Sequence, residues 1–251
     1  QGRNTMFDLT GKTALVTGAG PKRGAGIAQA LAVQGAHVLV NDVIEERAQS
    51  TVAEINAESG TATPLVFDVT DRAAVMQAFQ NSGHIDIVVN NAGNAGTEKM
   101  RPTPFADMDP ADWDPPIAVN LYGILHTAHA ALPNMIASGW GRIITISSGA
   151  ANSGVNIGVA PYAAAKSAGQ AFMRTIAAEN ARTGVTCNAI ALGLMDNTAG
   201  GDHTASLAKT IPVGRLGTPH DVAATCVYLT SEESAWVTGQ TFHVNGGTLM
   251  A

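Results

Sequence analysis

Residues 13–26 read Thr13-Ala14-Leu15-Val16-Thr17-Gly18-Ala19-Gly20-Pro21-Lys22-Arg23-Gly24-Ala25-Gly26, a short apolar run that breaks into a glycine-rich turn and then a segment of helical length. A strand feeding such a turn brings backbone N–H groups and a helix N-terminus to one point. A pyrophosphate can approach that point more closely than a backbone bearing side chains would allow. The spelling departs from G-x-G-x-x-G, and no Lys followed by Ser or Thr closes the turn as a triphosphate loop requires. Gly18, Gly20, Arg23, Gly24, Ala25 and Gly26 are the candidates for dinucleotide contact.

Outward from this turn the same rhythm continues. Val- and Ile-rich runs at 13–17, 37–41, 63–67, 85–90, 142–147, 186–191 and 241–244 alternate with Ala-rich segments at 26–34, 44–58, 72–81, 110–137, 162–183 and 220–229. Strands alternating with helices, several of them apolar on both faces, predict a Rossmann-type doubly wound parallel α/β sheet of about seven strands flanked by helices. Gly35, Gly60, Gly83, Gly139 and Gly184 each follow a helical segment, where a left-handed cap is expected. Three irregular stretches, 95–109, 149–161 and 194–212, follow strand ends and are expected to shape a ligand pocket at that edge. They offer Met100, Phe105, Val155, Ile157, Leu194 and Met195 as apolar lining, with Asn152 and Asn156 as polar handles.

Composition narrows the function. The 251 residues are 45% hydrophobic and 14% charged, with no Ser/Gly tract or charge block to mark a linker. Residues 1–5 are set aside as an extraneous stretch ahead of Met6, and 6–251 read as one domain. No apolar run approaches membrane-spanning length, and the N-terminus lacks the apolar core of a signal peptide, so a soluble protein with no membrane partner is expected. A net charge of -6 is the wrong sign for nucleic acid. Cys187 and Cys226 have no framework or ligand spacing and read as buried thiols in a reducing cytoplasm. His126 with His129, and Asp109 with Asp112 and Asp114, read as packing and a helix start, so no metal is expected. Trp113, Trp140 and Trp236 are too scattered for a stacking platform.

Two further features carry chemistry. Asp42 closes the second strand, where a carboxylate can accept hydrogen bonds from a ribose and repel a 2′-phosphate; this favours NAD(H). Lys22 and Arg23 could instead meet that phosphate, which keeps NADP(H) open. Tyr162 and Lys166 lie one helical turn apart on one face, and a neighbouring cation favours the phenolate form of a Tyr serving as general acid or base.

The order of further landmarks is Asp68-Val69, Asn90-Asn91-Ala92-Gly93, Asn120, Ser147-Ser148, Tyr162 with Lys166, Asn188-Ala189-Ile190-Ala191-Leu192-Gly193, Thr238-Gly239-Gln240 and Asn245-Gly246-Gly247. With the glycine turn, this series resembles the short-chain dehydrogenase/reductase family from Leu9 to Gly247. The resemblance implies an oxidoreductase that interconverts a secondary alcohol and a ketone with a nicotinamide cofactor. Tyr162 would exchange the proton, Lys166 would assist it and hold a ribose, Ser148 (with Ser147 as fallback) would bond the substrate oxygen, and Asn120 would hold a water linked to Lys166. Asp68 and Val69 would border the adenine, Asn91, Ala92 and Gly93 the ribose and phosphates, and Ile190, Gly193 and Thr198 the nicotinamide end. Ser148, Asn152, Val155, Leu194 and Met195 would form the substrate pocket. A homotetramer is implied as well. The sequence departs from the family at the two extra residues between Gly18 and Gly24, at Leu192 in place of a usual Pro, and at Asn245 in place of a usual Asp. An NADPH-dependent 3-oxoacyl-thioester reductase is the alternative, and a non-catalytic dinucleotide-binding regulator is the alternative of another class.

Overall fold

The computed structural model describes residues 6–20, 22–93, 102–196 and 202–250. Strands β1 (Thr13–Val16), β2 (His37–Val40), β3 (Thr61–Pro64), β4 (Ile87–Asn90), β5 (Gly141–Ser148), β6 (Val185–Leu192) and β7 (Thr241–Val244) form one sheet in the order 3-2-1-4-5-6-7. Every pairing is parallel. The chain reverses its direction of winding between β1 and β4, and in such sheets the crevice beyond the carboxyl ends at that point receives the ligand.

The period-2 alternation divides the interior in two. Ala14 and Val16 of β1, Ile144 and Ile146 of β5, and Ile190 and Leu192 of β6 face one layer with Ile27 and Leu31 of α1 (Arg23–Val33), Ile55 of α2 (Glu45–Ala57) and Val222 of α8 (Pro219–Thr230). Leu15, Ile143, Cys187 and Ala189 face the opposite layer with Val75 and Phe79 of α3 (Arg72–Ser82), Ile124 and Met135 of α5 (Gly123–Ser138), and Met173 and Ile176 of α6 (Ala160–Asn180). Central strands covered on both sides are buried on both faces, as β4 and β6 are along their whole length.

The structure departs from the sequence reading at several element boundaries. The third strand runs over 61–64 rather than 63–67, because Thr61 pairs with His37 and the edge strand ends at Pro64. Beyond it the Asn41 Nδ2 group donates to the carbonyls of Leu65 and Phe67, which takes these groups out of the ladder. After α2 the left-handed position is Ser59 rather than Gly60, whereas Gly35, Gly83, Gly139 and Gly184 have positive φ as expected. The expected helix over 110–137 is interrupted. A single 3₁₀ turn at Pro110–Asp112 precedes α4 (Asp114–Ile117), a π-helical turn spans Ala118–Tyr122, and α5 follows. Pro115 and Pro116 have no N–H to donate to an earlier turn, so the helix starts afresh at Asp114. The stretch 194–212, expected to be irregular, contains the helix α7 (Asp202–Ala208).

The other end of the sheet is held by Arg142, which is only 1% exposed. Its Nε donates to Ser231 O at 3.2 Å, and its Nη1 donates to the carbonyls of Gly141 (2.9 Å) and Gly184 (3.1 Å). Its guanidinium also lies 4.3 Å from the centre of the Trp140 ring. Burial pulls its pKa down, and the Glu232 carboxylate 3.6 Å away opposes that pull. Arg142→Met keeps much of the volume but deprives three carbonyls of a donor. It should cost roughly 1–3 kcal/mol in urea unfolding and leave ligand binding at the opposite edge intact. A variant as stable as the parent would show that these carbonyls need no donor.

Candidate active site

Beyond the carboxyl ends of β1, β2, β4 and β5 lies a cavity of about 580 Å³. Its frame is a hydrogen-bonded seam between β1 and β4. Thr17 Oγ1 accepts from the backbone N–H groups of Asn91 and Ala92, and Asn91 Nδ2 donates to the carbonyls of Thr17 and Gly18. The seam draws the glycine turn tightly against the strand ends. A Cβ on Gly24 would run into Gly18 O and lie 2.7 Å from Asn91 Nδ2, so a residue with a side chain cannot stand there without opening the turn. Lys22, just before α1, has φ 59 and ψ -121, a strained conformation of the kind that collects at functional sites.

Of the residues singled out in the sequence, Gly18, Arg23, Gly24, Asp42, Asp68, Val69, Asn91, Ala92, Gly93, Tyr162 and Lys166 border this cavity. Gly20 stands behind them: its N–H donates to Asp42 Oδ2 at 3.2 Å and its carbonyl accepts from Thr51 Oγ1. Gly26 faces α8, where a Cβ would meet Pro219, so it serves helix packing rather than the cavity wall. Ala25 is buried in α1 and lies outside the lining. Ile190 is a correction. It is wholly buried in the sheet core, in register with Ile146 and Phe242, and a side chain committed there cannot orient a ring at the sheet edge. Gly193 is held to β7 by its N–H on Val244 O. Thr198 and Met100 lie outside the described residues.

Asp42 and Arg23 occupy opposite ends. The Asp42 carboxylate is buried, accepting from the backbone N–H groups of Gly20 and Ile44. Arg47, from the first turn of α2, borders the cavity beside it. Nothing in the sequence reading pointed to Arg47, although it lies only five residues beyond Asp42. Arg23 turns inward instead, its Nε donating to Asn91 Oδ1 at 2.8 Å. Burial lowers its pKa, and Tyr162 acts in the opposite sense.

At the inner end four groups meet. Lys166 Nζ donates to Ile146 O at 2.7 Å and lies 5.8 Å from the centre of the Tyr162 ring. A Cβ on Gly93 would strike Asn120 Oδ1 and come within 3.0 Å of Lys166 Nζ, so Gly93 is where these two groups and the backbone converge. Asn120 sits in the π turn, fully buried, with its Nδ2 donating to Pro116 O at 2.8 Å. One extra residue in a helix re-aims the side chain it carries, a device found often at functional sites. Burial, and then the charge of Arg23, push the pKa of Lys166 down from 10.5 to about 7.

The serine pair separates by strand alternation. Ser147 borders the cavity, yet its hydroxyl is committed to α6: it donates to Lys166 O at 3.3 Å and accepts from Gln170 Nε2 at 2.9 Å. Ser148 Oγ accepts from Ala150 N at 3.2 Å and donates to no group among the described residues. Asn152, expected as a polar handle, pairs its amide with that of Gln170. Val155 is exposed. Leu194 borders a separate hollow of about 180 Å³ with Val213, Val244 and Asn245, and Met195 packs against the core. The apolar side chains expected in one pocket are therefore divided among an exposed loop, the hollow and the core.

Residues 22–248 match the family model described as Enoyl-(Acyl carrier protein) reductase. The short-chain reductase protein NovJ of Streptomyces niveus is 41% identical over 249 residues, covering 93% of this chain and 92% of the relative. A crystal structure of a 3-oxoacyl-[acyl-carrier protein] reductase with bound NAD from Brucella melitensis has a TM-score of 0.91 at 34% identity, over 98% of this chain and 94% of that one. A gluconate 5-dehydrogenase from Burkholderia cenocepacia J2315 in complex with NADP and tartrate gives 0.88 at 34% identity, over 96% of each chain. Sequence and backbone thus agree over nearly the whole length with what the cavity suggests, and the chain belongs to the short-chain dehydrogenase/reductase family of oxidoreductases.

Proposed function

We propose that residues 6–251 act as one catalytic domain that interconverts a secondary alcohol and a ketone with a nicotinamide dinucleotide. The observation that carries this reading is the convergence of Tyr162, Lys166, Asn120 and Gly93 at the inner end of the cavity. The cavity fits a dinucleotide. Gly24 leaves no room for a Cβ at the turn, and Lys22, Arg23, Arg47 and Lys166 outnumber Asp42 and Asp68 around the lining, which favours a ligand bearing phosphates. When bound, the nicotinamide would supply or accept the hydride.

The chain's own groups handle the proton. The Tyr162 hydroxyl makes no hydrogen bond to a described residue and faces the cavity, so it can pass its proton to a substrate oxygen in reduction and take it back in oxidation. Lys166 Nζ, held on Ile146 O and 5.8 Å from the centre of the Tyr162 ring, would hold the ribose of the cofactor. Ser148 can donate to the substrate oxygen because its O–H donates to no described residue, and Ala150 N, bonded to its oxygen, holds the side chain in place; a donor held in advance stabilises the charge that grows there. Asn120, buried against Gly93 beside Lys166, would hold the water that connects Lys166 to solvent.

The fixed Asp42 carboxylate supports NAD(H): a 2′-phosphate would meet a negative charge that two N–H groups prevent from turning away. Arg23 is drawn inward to Asn91, and Arg47, bordering the cavity beside Asp42, is the cation that would favour NADP(H). For the substrate, Phe105, Val155 and Ile157 stand exposed on the loops beyond the strand ends. These side chains support a largely apolar ketone or alcohol as substrate. The match to the 3-oxoacyl reductase supports a second reading, reduction of a 3-oxoacyl thioester. A homotetramer in the cytoplasm completes the proposal; the exposed Tyr122 and Ile136 beside α5 and the half-buried edge strand β7 support such assembly.

Cofactor absorbance across ethyl acetoacetate, acetophenone, 2-octanone, gluconate and acetoacetyl-CoA, with NAD(H) and NADP(H) side by side, tests the reading. Turnover of a free ketone with NADH is expected. Tyr162→Phe should reduce it by a factor on the order of 10²–10⁴ while leaving NADH affinity unchanged. A Tyr162→Phe enzyme as active as the parent would overturn the proposal, and activity confined to acetoacetyl-CoA with NADPH would select the second reading. Lys166 offers a test that needs no substrate. Between pH 7 and 10.5 the unfolded chain holds a proton on Lys166 that the folded chain has released, so its contribution to stability rises with pH across that window. The Tm of Lys166→Met minus that of the parent should therefore be largest near pH 6 and shrink steadily toward pH 10. A difference that does not vary with pH would show that Lys166 is not strained by its burial.

A further inference from the structure

Gln170 lies on α6 one turn beyond Lys166 and two beyond Tyr162, and is only 4% exposed. A buried amide costs free energy unless its groups are bonded, and both hydrogens of this one are in use. Its Nε2 donates to Ser147 Oγ and to Asn152 Oδ1, each at 2.9 Å, and its Oε1 accepts from Asn152 Nδ2 at 3.1 Å. Ser147 and Asn152 are the two residues that bracket 148–151, the segment made of Ser148 and the 3₁₀ turn Gly149–Ala151. One side chain therefore ties both ends of the segment to the helix that carries Tyr162. Ser167 Oγ adds a tie on Ala151 O at 2.8 Å. Ser148 accepts from Ala150 N, and its hydroxyl proton is left to donate.

We propose that Gln170 is a positioning residue that holds Ser148 in register with Tyr162, through the Ser147 hydroxyl on one side and the Asn152 amide on the other. A Leu of similar volume would fill the same space and leave the segment anchored at fewer points. The loop 152–158, exposed over most of its length, would be anchored at Asn152 by the same amide pair. The proposal rests on the reading of Ser148 and Tyr162 as the groups that meet the substrate oxygen.

Two measurements test it. Amide hydrogen exchange on the cofactor-free protein needs no substrate. Gln170→Leu, and separately Asn152→Ala at an exposed position that does not endanger folding, should speed exchange in 148–153 about tenfold or more and leave 13–20 unchanged. Unchanged exchange in 148–153 in a folded variant would overturn the proposal. The second measurement is kcat with ethyl acetoacetate, or with whichever panel compound the parent reduces fastest, in a double-mutant cycle. Gln170→Leu should lower kcat about tenfold in the parent with cofactor Kd unaltered, and by less than about twofold in a Ser148→Ala background. Equal losses in both backgrounds would mean a general structural effect and defeat the proposal alone. A Ser148→Ala enzyme as active as the parent would defeat the reading of Ser148 itself, which is the distinguishable failure. Asn152→Ala supplies the same cycle if Gln170→Leu does not fold.

Discussion

The seam joining Thr17 and Asn91 is the contact on which the site depends. Adjacent parallel strands share ladder bonds only as far as their last paired residues, and β1 and β4 are the strands between which the sheet changes its direction of winding. Beyond their ends the glycine turn is tied toward β2 by Ala19 N on Asn41 O and Gly20 N on Asp42, but no ladder bond ties it to β4. One threonine hydroxyl and one asparagine amide hold it instead, accepting from Asn91 N and Ala92 N and donating to Thr17 O and Gly18 O. The same Asn91 uses its remaining oxygen to receive Arg23. Backbone closeness at Gly24, the inward course of Arg23 and the position of Gly93 all descend from that junction.

Charge is arranged against the sign of the whole molecule. The chain carries a net -6, yet cations are in excess around the cavity. Two of them, Arg23 and Lys166, are buried, and the charge of Arg23 adds to burial in pushing the Lys166 pKa down. An anion entering between them would relieve a repulsion already present in the folded protein, so ligand binding and Lys166 protonation are linked. The carboxylate at the far end, Asp42, accepts from the N–H groups of Gly20 and Ile44, with Arg47 bordering the cavity beside it.

Much of this was legible in the sequence because it rests on periodicity and on glycine. Alternating apolar runs fixed the number and parallel direction of the strands, and the order of short polar landmarks located the inner end of the cavity. Failures arose where a single side chain overrides a pattern. Asn41 takes two carbonyls after β3 and moves that strand's end, Ser59 adopts a conformation expected of Gly60, and paired prolines restart a helix that periodicity runs through. Ile190 was assigned to the wall although strand alternation turns it into the core. Arg47 and Gln170 were invisible for a different reason: each matters only through partners brought near by folding, and a lone Arg or Gln on a helix has no spacing to betray it.

The π turn at Ala118–Tyr122 carries a consequence for how the chain can vary. An additional residue within a helix shifts everything on one side by about 100° relative to the other. The chain before and after the turn is anchored separately, the Pro116 carbonyl by the Asn120 amide and the Thr127 hydroxyl by donating to Asn90 Oδ1 at 2.6 Å. Deleting one residue between them would give a smoother, better-bonded helix and swing Asn120 away from Gly93 and Lys166. Over this stretch the count of residues matters as much as the identity of Asn120; a single-codon deletion would misplace that side chain even where every remaining residue is kept.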